Sequence, residues 1–275
     1  MIRIALFQSN TGIDPAANAR ALQQAIEQAA AGGAEMLFTP EMSGLLDRDS
    51  ARASKSLRAE EEDPVLAACR EAAQRHRIWL HIGSLAVLAD NGKVANRGFV
   101  IDREGQIRAR YDKIHLFDVD LPTGESWRES NTYSAGKDVV VVNGTPVGKL
   151  GLTICYDLRF PGLFARLAEA DADVIAVPAA FTVPTGRAHW HVLQRARAIE
   201  AGLFIVAAAQ VGHHEDGRNT FGHSLVVDPW GEILLDMGEE PGVGFAEIDL
   251  KRISDVRSRI PALNHRRPIP DAVTL

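Results

Sequence analysis

Two cysteines in 275 residues, Cys69 and Cys155, are too few for a disulfide framework and point to a reducing compartment. No run of about 18 uninterrupted apolar residues occurs, so no membrane-spanning helix is expected. The opening segment Ile2 to Gln8 is strand-length and lacks the basic flank and longer apolar stretch of a signal peptide. Basic residues are not in excess: 30 Lys and Arg against 36 Asp and Glu give a formal net charge of −6. That balance excludes a general nucleic-acid binder, which needs a concentrated positive face. Also missing are the phosphate-cradling Gly-x-x-x-x-Gly-Lys, a Gly-x-Gly-x-x-Gly after the first strand, and the Gly-x-Ser-x-Gly elbow. What remains is a soluble, cytoplasmic protein with neither nucleic acid nor membrane as partner.

Apolar residues make up 46% of the chain, enough for a large core. Short β-rich runs alternate with amphipathic segments almost to the end. Ile2 to Gln8 and Ala34 to Pro40 read as strands around a helix carrying Ala19, Leu22, Ile26 and Ala29, stopped by Gly32-Gly33. A helix follows Pro64. Strands at 78–88 and 96–102 flank a turn at Asn91-Gly92. Further apolar runs lie at 139–142, 148–155, 174–178 and 204–210, with helices near 161–170 and 187–201. A hairpin turns at Asp228-Pro229-Trp230-Gly231, and a strand at Phe245 to Asp249 precedes a short charged helix. Helices between strands, together with hairpin signals, predict an α/β protein with mixed sheets. One domain over 1–275 is expected, with a polar, mobile loop at 46–62 and an extended tail from about residue 260.

Chemistry centres on Cys155, which closes the apolar run Gly151-Leu152-Thr153-Ile154 and precedes Tyr156-Asp157-Leu158-Arg159-Phe160-Pro161. A thiol at a strand-to-helix turn lies where backbone N–H groups can face a developing oxyanion. Cys69, inside an apolar helix face, reads as core. A nucleophilic thiol needs a base or a positive neighbour. Glu41 directly after Leu37-Phe38-Thr39-Pro40, and Lys113 after Tyr111-Asp112, are the candidates. Each taken singly reads as a solvated surface charge; the three together suggest a site. Histidines offer rival metal chemistry at His189, His191, His213, His214 and His223. However, His189 and His191 stand two apart on a helix and point to different faces. No His-Glu-x-x-His or Cys-x-x-Cys is present, so no local metal motif is assigned.

Three segments carry a resemblance: Phe38-Thr39-Pro40-Glu41, Tyr111-Asp112-Lys113-Ile114-His115-Leu116-Phe117-Asp118 and Gly151 to Pro161. In this order they resemble the nitrilase superfamily of carbon–nitrogen hydrolases, over essentially the whole chain. The resemblance implies a four-layer α-β-β-α sandwich and a homodimer or higher oligomer. It implies no metal and no organic cofactor. It also implies a Glu41–Lys113–Cys155 triad, with Glu129 as the family's second glutamate and the Tyr156 backbone N–H in the oxyanion hole. The expected reaction is cysteine-dependent hydrolysis of a small amide through a thioester, releasing an acid and an amine. Ala207 to His214 and Phe221-Gly222-His223-Ser224 are similar to the deaminated glutathione amidase branch. An ω-amidase acting on α-ketoglutaramate is the alternative; a metal-dependent hydrolase and a non-catalytic scaffold are the readings outside the class. Arg159, Phe181, Thr185 and His214 are the expected substrate-binding residues, with Arg187 and Arg218 as further carboxylate partners.

Overall fold

The computed structural model describes residues 1–89, 92–120, 124 and 126–274. Its two large sheets repeat one pattern. The first runs in the order β12(Gly242–Ile248), β1(Ile2–Gln8), β2(Met36–Phe38), β3(Trp79–Leu88), β4(Val94–Ile101), β5(Ile107–Asp112). In it β1, β2 and β3 are parallel, flanked by antiparallel β12 and β4. The second runs β6(Val141–Thr145), β7(Gly148–Leu152), β8(Val174–Ala176), β9(Phe204–Ala207), β10(Leu225–Val227), β11(Ile233–Asp236). Here β7, β8 and β9 are parallel, flanked by antiparallel β6 and β10. The sequence has no short-period repeat, yet the topology is that of two matching halves.

Side-chain alternation decides what each face meets. Ile4, Leu6, Met36 and Phe38 join the core shared with the second sheet. Ala5 and Leu37, one residue out of phase, join a separate core with α1(Pro15–Ala31) and α2(Pro64–His76). Helices α3(Pro161–Glu169) and α4(Val183–Ala201) supply Phe164, Leu167, Trp190 and Ala198 to the core around the second sheet. The layers are therefore helix, sheet, sheet, helix. Burying Leu22 and Ile26 against β1 and β2 contributes about 1.5–3 kcal/mol apiece. Proline opens α1, α2 and α3 at a position whose N–H has no helical partner. The Asp14 and Asp63 carboxylates cap the first two.

Several expectations shift. The 46–62 segment is structured: a helical turn covers Ser50–Ala53, and Arg58–Ala59 pairs with Val87 and Leu88. Glu60 then reaches Arg97 at 2.9 Å and Arg110 at 2.7 Å, so polarity there reflects ion pairing. Of the Asn91-Gly92 turn, Asn91 lies outside the described residues. Two hairpins went unanticipated, Asp118–Asp120 with Ser126–Arg128 and Val211–His213 with Asn219–Phe221. Residues 261–274 form neither helix nor strand, and Arg266 ties them to Glu169 at 2.9 Å. α5(Lys251–Arg259) is the charged helix before them. No helix among the described residues is long and apolar enough to cross a membrane.

Gly83 in β3 shows how tightly the site is backed. A Cβ there would lie 2.2 Å from the Thr39 carbonyl oxygen and 2.5 Å from that of Pro40, the two residues before Glu41. Gly83→Ala is expected to lower stability by about 1–3 kcal/mol, the usual cost of overpacking. Urea unfolding measures it, and an unchanged midpoint would refute the close approach.

Candidate active site

The ends of β2 and β7 and the turn after β5 bring three residues together. Glu41 follows β2 through Thr39 and Pro40, is 5% exposed, and has its backbone carbonyl held by Gln210 Nε2 at 2.9 Å. Lys113 follows β5, is 2% exposed, and its backbone N–H donates to the Asn96 carbonyl at 3.0 Å. Cys155 lies three residues beyond β7 and opens the short 3₁₀ turn Cys155–Arg159 ahead of α3. Its φ of +46° is left-handed, costing a non-glycine residue on the order of 1–2 kcal/mol. Two bonds hold that conformation. The Cys155 N–H donates to the Pro178 carbonyl at 2.8 Å, and the Ile154 N–H donates to Asp157 Oδ2 at 2.9 Å.

Lys113 Nζ lies 2.9 Å from Glu41 Oε1 and 2.9 Å from Glu129 Oε2. The ammonium is thus clamped between two carboxylates. Glu129 begins a 3₁₀ turn after the Ser126–Arg128 strand, and its Oε2 also accepts the Phe117 N–H at 2.6 Å. Glu41 Oε2 accepts the Ala180 N–H at 2.9 Å. The Cys155 thiol is hydrogen-bonded to Glu41.

Burial and the Glu41 charge push the Cys155 thiol well above its usual 9.0, against the pull of Lys113. Burial would raise the Glu41 carboxyl, but Lys113, Cys155 and Asn96 together hold it below its ordinary value. Glu129 and Glu41 hold Lys113 well above its own, although burial opposes them. At neutral pH the resting set is therefore carboxylate, ammonium and protonated thiol. Cys69 has no exposed surface, is pushed up to about 12 by desolvation, and packs in the α2 core.

Sequence reasoning missed two positioning groups. Asn96 in β4 donates from Nδ2 to Glu41 Oε1 at 3.0 Å and to Glu129 Oε1 at 3.1 Å, bracing the carboxylates on either side of Lys113. Nothing in a lone Asn within a strand-like run signals this. Asp157, fully buried, accepts Tyr111 Oη at 2.7 Å and the His115 N–H at 3.1 Å. It thereby fastens both sides of Lys113 to the turn that carries Cys155.

The expected substrate contacts separate. Tyr156 follows Cys155 in the 3₁₀ turn, and its ring meets Phe117 and Phe160 edge-on at 5.1 and 5.3 Å. The Arg159 guanidinium lies over the Phe181 ring at 5.4 Å and reaches His189 at 3.3 Å. Thr185 Oγ1 bonds Thr182 Oγ1 at 2.7 Å at the start of α4. His214 has no exposed surface, and both ring nitrogens are bonded internally, to Thr11 O at 2.9 Å and Thr220 Oγ1 at 2.7 Å. In this arrangement it is a strut, with no ring atom left for a ligand. Arg187 is exposed on α4, and Arg218 is bound to Asp216 at 2.7 Å with its guanidinium 5.0 Å over Trp127.

The chain matches the carbon-nitrogen hydrolase family model over residues 3–258. It belongs to that family. This carbon–nitrogen hydrolase is 39% identical over 276 residues to the deaminated glutathione amidase of Yersinia enterocolitica, covering 98% of this chain and 94% of the other. The solved NitFhit protein of C. elegans superposes with a TM-score of 0.89 at 37% identity, over 97% of this chain and 65% of that one. An amidase from Nesterenkonia sp. AN1, solved with acrylamide added at its active-site cysteine, gives 0.79 at 26% identity, over 95% and 98% of the two chains. The protein is an enzyme acting on a non-peptide amide C–N bond.

Two outcomes are expected from the site's electrostatics. The thiolate absorbance of wild type minus that of Cys155→Ala, which reports the proton directly, should keep rising above pH 9. A plateau below pH 8 would contradict the protonated resting thiol. Asn96→Leu removes two hydrogen bonds to charged groups, each worth roughly 1.5–3 kcal/mol. It should lower kcat by roughly 10- to 100-fold, and unchanged kcat would remove Asn96 from the positioning set.

Proposed function

We propose that this carbon–nitrogen hydrolase cleaves the γ-amide of deaminated glutathione, with Cys155 as nucleophile, Glu41 as base and acid, and Lys113 with the Tyr156 N–H as oxyanion donors. The observation that carries the chemistry is the ammonium of Lys113, clamped at 2.9 Å between two carboxylates, with Glu41 also bonded to the thiol. The substrate is inferred from likeness to relatives that bear this name.

As Cys155 Sγ attacks the amide carbonyl, Glu41 takes the thiol proton. Negative charge moves onto the carbonyl oxygen, where Lys113 and the Tyr156 N–H stabilise it. Glu41 returns the proton to the amide nitrogen, the C–N bond breaks and cysteinylglycine leaves. Water then gives a proton to Glu41 and attacks the thioester. The C–S bond breaks, 2-oxoglutarate is released and the thiol is restored. Glu129 holds Lys113 and transfers no proton.

Deaminated glutathione carries a carboxylate at each end. Arg159 above Phe181 and Tyr156 supplies one cationic site. A second lies past Phe117, where Arg218 and Arg48 stand 5.0 and 5.8 Å from the Trp127 ring. A working Cys155 thiol suits a reducing, cytoplasmic compartment. A homodimer is supported by apolar side chains left exposed on α4 and the last hairpin: Val192, Ile199, Trp230, Ile233 and Leu234.

Release of 2-oxoglutarate from deaminated glutathione and from α-ketoglutaramate tests the reading on one assay. Wild type should favour deaminated glutathione, Cys155→Ala should be inactive on both, and Lys113→Ala should lose at least ~100-fold in kcat. Preference for α-ketoglutaramate would make the enzyme an ω-amidase. Full activity of Cys155→Ala would remove the nucleophile assignment. For assembly, Val192→Asp with Leu234→Asp should shift the mass in light scattering from dimer to monomer, and an unshifted dimer would place its interface elsewhere.

A further inference from the structure

Three side chains from separate elements converge beside α4. His191 lies on that helix, His223 in the connection before β10, and Asp236 at the end of β11. His191 Nε2 is 3.0 Å from Asp236 Oδ2, and His223 Nδ1 is 2.9 Å from Asp236 Oδ1. All candidate ligand atoms lie within 4.8 Å of one another. His191 and His189 do point apart, as their spacing predicts, with His189 directed at Arg159. The cluster draws instead on residues remote in sequence, which no local spacing rule could reveal.

We propose that His191, His223 and Asp236 form a binding site for one divalent ion of the zinc class. Two imidazole nitrogens aimed at one carboxylate make a mixed N₂O donor set, which suits zinc and its borderline neighbours and not magnesium or calcium. Zinc bonds of about 2.0–2.2 Å in tetrahedral geometry place ligand atoms roughly 3.3 Å apart. Each ring now meets a different Asp236 oxygen and the three donor atoms lie within 4.8 Å of one another, so binding draws them together by up to about 1.5 Å through rotation of the side chains. The ion replaces the protons that now bridge the rings to the carboxylate. At side-chain exposures of 33%, 21% and 32%, the cluster admits water to the remaining coordination position.

The surroundings already hold the donors in place. Asp236 Oδ1 also accepts the Gly238 N–H at 2.9 Å, and Phe221 stacks on His223 at 4.5 Å. The His223 backbone sits at φ +54°, in the left-handed region that few non-glycine residues occupy. It is pinned there by its own N–H to Gly238 O at 2.7 Å and by Trp190 Nε1 to its carbonyl at 2.8 Å. Glu239 Oε1 stands 4.0 Å from His223 Nε2, beyond hydrogen-bond distance in this structure but within reach of the ring once an ion is bound. The ion would clamp α4 to the β10–β11 hairpin, apart from the Cys155 chemistry.

Zinc chloride titrated calorimetrically into the full chain provides the test, in a Cys155→Ala background so that the reactive thiol does not compete. One equivalent should bind, and the thermal midpoint should rise with zinc and not with magnesium. His191→Ala and Asp236→Asn should each weaken binding at least ~10-fold and abolish the zinc-dependent shift. His191→Gln, which keeps a polar side chain against Asp236, serves if the alanine variant does not fold. No saturable binding, or affinity unchanged in the variants, would overturn the site and leave a plain hydrogen-bonded cluster.

Discussion

One buried cation organises this molecule's working end. Lys113 is almost fully desolvated, and a lone ammonium there would cost several kcal/mol. It is retained because Glu41 and Glu129 each come within 2.9 Å of it. Removing either carboxylate leaves a balanced pair but takes away one of the two contacts that repay burial of the ammonium, so the three are bound to one another energetically as well as geometrically. With a neutral thiol the set carries one net negative charge. Asn96 Nδ2 and the backbone N–H groups of Phe117 and Ala180 spread that excess. The two sheets must therefore meet closely enough for donors from both to reach a single cluster.

The topology provides that closeness. Each half presents three parallel strands between antiparallel flanks, and the first and second parallel sets end in the loops that carry Glu41 and Cys155. Strand carboxyl ends are where loops gain freedom to carry functional groups without disturbing the ladder. Gln210, just past β9, ties the halves there: its Nε2 donates to the Glu41 carbonyl and its Oε1 accepts from Ser9. Gly83 backs the same loop, since any side chain would strike it.

Much of this was legible in the residues. Apolar runs and helical patterns placed α1, α2, β1 and β4 to within a few positions, because the helices bury one regular face and the strands are covered on both. Residues 46–62 misled because their polarity serves ion pairs from Glu60 to Arg97 and Arg110 on neighbouring strands, a fact absent from local sequence. Glu41, Lys113 and Cys155 stood out by position after apolar runs. Asn96 and Asp157 did not, since their importance lies in what they touch across 55 and 42 or more residues of chain. His214 illustrates the converse: a histidine pair looks like a ligand site, yet burial and two internal bonds make it a brace.

The protonated resting thiol bears on how such a site gains rate. In a thiolate–imidazolium pair the nucleophile is charged before substrate arrives, and part of its reactivity is spent in that stabilisation. Here burial and the adjacent carboxylate keep the proton on sulfur in the resting site. In the mechanism proposed above, negative charge then passes from Glu41 to the substrate oxygen as the proton moves onto Glu41. Lys113 borders both ends of that transfer, so the attraction it loses toward Glu41 is regained toward the oxyanion. Glu129 keeps it from following the charge out of position. A fixed ammonium that serves the base first and the oxyanion second favours the transition state over the ground state, which is the requirement for raising kcat.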